Sequence, residues 1–242
     1  MSYSAAVKSS STPARPSGKE QVGNGESSTK ANQSKGSIPR PHHGADGRRR
    51  SPSPSQKPKT SDEEETVYVL TLQTDQDHHN RMTALRNKYF PKHLNKLRAH
   101  LTLFHALPGS KMDNSILPVI QDIAKQTSRF PIAATHAEKR KRGIAIVVAD
   151  GKEFEHLRNS LQLPWKRERF LSAQDAASRA KPHYTVMNLV DDGEVVERAF
   201  EEVQQGFKID EGVAVGLGLW KFERGWWRWV RGFEFGGGEG AG

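Results

Sequence analysis

The chain has 242 residues and no cysteine, and its 37 Lys+Arg against 28 Asp+Glu give a formal charge of +9, which excludes a disulfide-stapled scaffold and a thiolate metal site. The longest fully apolar stretch, Ile144 to Ala149, is far shorter than the roughly 18 to 20 residues a membrane span needs, and the amino terminus lacks the apolar core of a secretory signal. An intracellular protein, cytoplasmic or nuclear, that makes no membrane contact is expected.

Residues 1–65 hold 14 Ser and 7 Pro but a single aromatic, Tyr3. So sparse an apolar content cannot offset the entropy of ordering the backbone, and a disordered basic tail is expected. Its run Arg48-Arg49-Arg50-Ser51-Pro52-Ser53-Pro54 is read as a solvated linker, with a nuclear-import or phosphate-binding patch as the alternative. The domain is expected over 66–235, with a frayed glycine-rich end at 236–242.

In chain order, Thr66 to Leu72 is β-branched and apolar and predicts a buried strand. A helix follows, capped by Asp75 or Asp77, carrying Met82, Leu85 and Tyr89 at helical spacing and stopped by Pro91. A strand is expected over His100–Leu107 and a helix from about Asp113 with Ile116, Val119, Ile120 and Ile123 on one face. Strands near Phe130–Thr135 and Gly143–Ala149 flank an expected exposed turn, Glu138–Arg142. Beyond it come a helix at Lys152–Leu161, a polar helix near Glu168–Ala180, a strand at His183–Val190, a helix at Glu194–Gln205, and strands near Val213–Phe222 and Trp226–Phe235. Mixed helices and strands without strict alternation predict an α+β domain with two sheet-containing lobes facing a cleft.

Of the ten histidines, only His100 and His183 are followed two residues later by Ser or Thr. Both start a predicted strand: His100-Leu101-Thr102-Leu103 and His183-Tyr184-Thr185-Val186. Side chains at i and i+2 share one strand face, about 6.6 Å apart, so each His points with its Thr and the apolar residues point the other way. With ten histidines about one such tripeptide arises by chance. Two in matched contexts are a stronger signal, because a buried strand seldom places polar side chains together unless they line a polar space. Two imidazoles and two hydroxyls suit in-line displacement at phosphorus: one ring takes a proton, the other supplies one, and the hydroxyls hold non-bridging oxygens.

The two His-x-Thr-hydrophobic motifs, 83 residues apart, resemble the signature of the two-histidine phosphoesterase superfamily, which includes the 2'-5' RNA ligase-like proteins and cyclic nucleotide phosphodiesterases. Tyr89-Phe90-Pro91 through Ala99-His100 to Pro108-Gly109 is similar to the first motif region of the 2'-5' RNA ligase-like branch. Lys181-Pro182-His183 to Asn188 is similar to the second, and Leu217 to Trp220 with Trp227 to Phe235 resembles the closing hairpin. The resemblance spans about residues 66–235. It implies a bilobal, pseudo-symmetric α+β domain in which each lobe gives one motif strand to a central cleft. It also implies that His100 and His183 are catalytic, that Thr102 and Thr185 bind phosphate, and that neither metal nor cofactor is required. Lys181, where many relatives have arginine, and Tyr184 are added as candidate substrate contacts; lysine keeps the charge but loses the planar fork.

Other residues fit structural roles. On simple strand parity His105 faces away from the cleft. His42-His43 and His78-His79 lack a third ligand at metal spacing. The alternating Trp227, Trp229, Phe233 and Phe235 are expected to fill one sheet face, with base stacking as the alternative and Arg228 or Arg231 lining the cleft. The expected activity is phosphodiester cleavage of a cyclic phosphate on a nucleotide or RNA end; the alternative is a non-catalytic nucleotide- or RNA-binding module with the same cleft.

Overall fold

The computed structural model describes residues 59–60, 66–149, 151–178 and 181–237. Apart from 59–60, the expected disordered tail with its arginine run lies outside the described residues, as does the chain beyond 237. Gly236 and Gly237 are tied down, donating to the carbonyls of Ala124 and Thr127 at 3.2 and 3.1 Å.

Strand β1 (Val67–Thr74) leads into helix α1 (Gln76–Tyr89), then β2 (Leu101–Pro108), α2 (Leu117–Gln126), β3 (Phe130–Arg140) and β4 (Gly143–Val148). The second half holds α3 (Lys152–Arg167), α4 (Ala173–Ala176), β5 (His183–Met187), α5 (Gly193–Gly206), β6 (Asp210–Glu223) and β7 (Trp226–Glu234). Asp75 caps α1 by accepting from the His78 N–H at 2.9 Å. Before α2, Met112–Ile116 forms one wider helical turn. Ile116 and Ile120 there are fully buried, each contributing about 1.5–3 kcal/mol of transfer free energy.

All pairings are antiparallel, in the order β1-β2-β5-β4-β3-β6-β7, with β1 also paired to β6. β6 is long enough to serve two sheets. Its first residues, Asp210 to Ala214, pair with β3, and from Ala214 onward it pairs with β1. Two lobes result. One sheet, β2-β1-β6-β7, is covered by α2, α3 and α4; the other, β5-β4-β3 with the start of β6, is covered by α1 and α5. The lobes meet a second time where β2 and β5 share a single pair, Leu101 opposite Tyr184. The mixed two-lobed fold is the one expected, with one His-x-Thr strand in each lobe.

Three expectations are corrected. The polar segment Glu168–Ala180 is not one helix. It holds only the four residues of α4, because Ser172 caps the turn and Asp175 is drawn inward to bond β2. Glu138–Arg142 is mostly strand, since β3 continues to Arg140 and pairs with Gly143. Helix α3 runs past Leu161 to Arg167 with Pro164 inside it. Its last turns carry Trp165, which is fully buried and meets the Phe104 ring edge-on at 4.9 Å.

Candidate active site

The two motif strands touch at one point, and the chemistry-bearing residues surround it. Leu101 and Leu103 are 1% and 2% exposed, and Tyr184 and Val186 are 1% and 0% exposed. Thr102, His183 and Thr185, and His100 just before β2, are half-buried on the other face. Continuing the antiparallel register one residue either side of Leu101–Tyr184 sets His100 opposite Thr185 and Thr102 opposite His183. The two histidines are therefore diagonal neighbours, a relationship that separates residues by about 7–8 Å, with their Cβ atoms somewhat closer.

Both rings are held in the same way. His100 Nδ1 lies 2.9 Å from the carbonyl oxygen of Arg98, and His183 Nδ1 lies 2.9 Å from that of Lys181. A carbonyl only accepts, so each Nδ1 carries hydrogen and each Nε2 is the nitrogen left for an outside partner. Burial pushes His100 down to about 4; its bond to Arg98 opposes this, and the Arg86, His105 and His183 charges add to it.

One face of α1 positions both motifs. Thr83 accepts from the Ala99 N–H at 3.3 Å. Arg86, 5% exposed, donates to Asn95 Oδ1 at 2.9 Å, the Leu97 carbonyl at 3.0 Å and the Thr185 carbonyl at 2.5 Å. His78, fully buried, lies 2.5 Å from Asp210 through Nδ1 and 3.0 Å from the Tyr184 hydroxyl through Nε2. Burial and this setting hold the Tyr184 phenol well above its ordinary value. Tyr184 therefore braces β5 from behind and does not face the space between the histidines, contrary to its expected substrate contact. Lys181 is exposed beside His183.

His105 also departs from simple parity. Thr102 lies opposite Thr71 but Phe104 lies opposite Leu70, so β2 spends an extra residue there and its alternation inverts. His105 thus returns to the face of Thr102. Its N–H and that of Ala106 both donate to the Asp175 carboxylate, at 2.8 and 2.9 Å. Burial alone would raise the Asp175 carboxyl, but these bonds and the His105 ring hold it below the usual range.

The tryptophans divide differently from expectation. Phe233 and Phe235 are core residues, but Trp227 is half-buried and Trp229 is 48% exposed. Trp229 opposite Trp220, and Trp227 opposite Phe222, share the face of Thr71 and Gly218. The Trp227 ring centre is 4.6 Å from that of His100. Arg228 and Arg231 pair with Lys221 and Leu219 on the opposite face, so neither lines the cleft.

Arg86, Asp210, Asp175 and Thr71 carry no motif that singles them out in the sequence. The one available signal is the set 78, 82, 83 and 86, which recurs at helical spacing as a buried stripe that is mostly polar.

A search of curated proteins finds no match. Among solved structures, TT0787 of Thermus thermophilus is similar, with a TM-score of 0.50 at 12% identity over 72% of this chain and 100% of that one. Escherichia coli LigT is similar in its complex with NADP+, with a TM-score of 0.46 at 14% identity over 71% and 98%. Its complex with 3'-AMP gives 0.48 at 15% over 70% and 98%. At 12% identity the likeness to TT0787 is one of fold. The family model of the 2'-5' RNA ligase superfamily matches residues 74–226, which takes in both His-x-Thr strands and the turn of the closing hairpin. On that match the chain belongs to the 2'-5' RNA ligase superfamily.

Proposed function

We propose that this protein is a metal-independent phosphodiesterase that opens cyclic phosphates on nucleotides or RNA ends, with His100 as general base and His183 as general acid. The observation that carries the reading is the matched tethering of the two imidazoles through Nδ1, with a threonine of the partner motif opposite each ring. The buried setting that lowers the proton affinity of His100 supports reading it as the base.

In the proposed step, the oxygen of a water attacks phosphorus and its proton passes to His100 Nε2. The bond from phosphorus to the ribose oxygen on the far side breaks, and that oxygen takes the proton from His183 Nε2. The product is a phosphomonoester with a free hydroxyl, and proton exchange with solvent resets both rings. Thr102 and Thr185 donate to the non-bridging oxygens as charge builds there. Arg86 behind β5 adds a fixed positive charge that favours an anion in the same space.

The test is turnover of nucleoside 2',3'-cyclic phosphates and of RNA ending in a cyclic phosphate, in the presence of EDTA. Sustained cleavage that is lost in His100→Ala supports the reading. RNA binding without any turnover would leave a binding module in its place.

A further inference from the structure

The closing hairpin carries more than packing. Thr102 lies opposite Thr71, Thr71 lies opposite Gly218, and Gly218 lies opposite Gly232. These four form one row across β2, β1, β6 and β7, on the face that carries the motif histidines. With strands about 4.8 Å apart, the row extends about 14 Å from Thr102. A base attached to a phosphate held at the histidines does not reach that far.

Three indoles stand on this floor. Trp227 is beside His100, Trp220 is 6.5 Å from Trp227, and Trp229 meets Trp220 edge-on at 4.8 Å between ring centres. Trp220 is fixed by its Nε1 donating to Thr71 Oγ1 at 2.9 Å, and Thr71 in turn donates to the Gly218 carbonyl at 3.3 Å. Trp229 lies down on the glycine pair. A Cβ at Gly218 would come within 2.9 Å of Trp229 Cζ3, and one at Gly232 within 3.3 Å of its Cζ2. Only a residue without a side chain leaves room for the ring at Gly218, yet the same indole is 48% exposed. An aromatic that is bedded on one side and open on the other is a stacking surface.

The other lobe offers nothing equivalent. Among the described residues, the row leading from His183 runs to Val147 and then to His136, with one imidazole and no indole. A chain cut internally needs a path on both sides of its phosphorus, whereas a terminal phosphate has nucleotides on one side only.

We propose that the Trp220–Trp227–Trp229 platform binds single-stranded RNA, and that the substrate is an oligoribonucleotide whose terminal cyclic phosphate sits at the histidines. Its last base stacks at Trp227 and the preceding one at Trp229. This rests on the proposed phosphodiesterase reading and narrows its substrate from nucleotides or RNA ends to an RNA end whose last two bases have their own binding surface. The net charge of +9 suits a polyanion.

The experiment compares kcat/KM for a nucleoside 2',3'-cyclic phosphate with that for a trinucleotide bearing the same terminal group. Wild-type protein is expected to favour the trinucleotide. In Trp229→Ala the trinucleotide-to-mononucleotide ratio falls about 5- to 150-fold, the usual worth of one base stacked on an aromatic, and Trp229→Phe recovers most of it. Trp226→Ala, which removes an indole that is 49% exposed on the opposite face of the hairpin, leaves the ratio unchanged. A ratio insensitive to Trp229, or equally sensitive to Trp226, overturns the platform while the catalytic reading stands. Trinucleotide binding by His100→Ala, followed through tryptophan fluorescence, separates the opposite case: Trp229-dependent binding by a chain with no turnover on any substrate keeps the platform and removes the enzyme.

Discussion

The Nη1 of Arg86 on α1 donates to the main-chain oxygen of Thr185 on β5 at 2.5 Å, so the helix that follows the first strand holds the second motif in register. The same guanidinium reaches Leu97 and Asn95 on the approach to His100 and lies 3.8 Å from the centre of the Phe90 ring. None of these hydrogen-bond acceptors is a carboxylate. Burial lowers its affinity for protons only to about 10, so the charge persists at neutral pH and stands behind the site.

Arg86→Met is therefore expected to lower both stability and turnover. Each carbonyl left without a donor in the interior costs about 1–3 kcal/mol, and the approach to His100 loses its tie to β5. Arg86→Lys restores charge but only one of the three directions, and should recover part of the turnover. Thermal melting of the three proteins, with turnover measured below the lowest transition, checks this; unchanged kcat in Arg86→Met would show that Arg86 serves stability alone.

His100 gives two pH signatures. On the proposed mechanism, kcat/KM of the free protein should fall on the acid side only near pH 4, where His100, the proposed base, becomes protonated. For stability, an unfolded His100 takes a proton near 6.5 while the folded one resists until about 4. Between those values the unfolded chain binds more protons, so stability is full above about pH 6.5 and falls as pH drops toward 4. His100→Gln should flatten that part of the melting-temperature profile, and an identical slope in wild type and variant would contradict the assignment.

Much of this is legible in the sequence because strand parity is local. Leu101, Leu103, Tyr184 and Val186 are apolar and buried, and the alternating His and Thr residues share the other face, as period-two spacing dictates. His105 is not, because the extra residue in β2 is a property of its pairing with β1 and leaves no trace in the sequence of β2. The Trp pair misleads for a related reason: alternation puts Trp227, Trp229, Phe233 and Phe235 on what looks like one face, but the shift between Leu219 and Trp220 in the β6–β7 register separates them. Likewise α1 advertises Met82, Leu85 and Tyr89, whereas its working residues are His78, Thr83 and Arg86, polar groups whose partners lie as far along the chain as Asp210.

Alanine at His100 or at His183 should each remove about 10²- to 10⁴-fold of the rate. The losses should not add, since one proton-transfer partner has less to assist when the other is gone. Thr102→Val and Thr185→Val keep the shape and remove one hydroxyl, costing about 1.5–3 kcal/mol of transition-state stabilisation as for a hydrogen bond to a charged group. Steady-state kinetics on one cyclic phosphate substrate compares all five variants, including the double histidine one. Multiplicative losses in that double variant would mean that the two rings act in separate steps.

Asp175 is the remaining test, because it stands where a neighbouring strand would. Past Thr102, β2 has no neighbour in β5, which begins at His183, and the carboxylate at 1% exposure takes up the N–H groups of His105 and Ala106 instead. Gln162 and Arg158 hold the loop in place through the carbonyls of Asp175 and Ala177. Asp175→Asn turns an amide toward a second donor, leaving one N–H unsatisfied, and should cost about 1–3 kcal/mol. Its lowered proton affinity adds a pH signature. Stability from the carboxylate is present above the unfolded value near 3.8 and is lost as pH falls through the lower folded value, so the variant's deficit should shrink in strong acid. The bulge lies past Thr102, so melting should suffer more than turnover. A variant with wild-type stability and crippled kcat would instead place Asp175 and His105 in the chemistry.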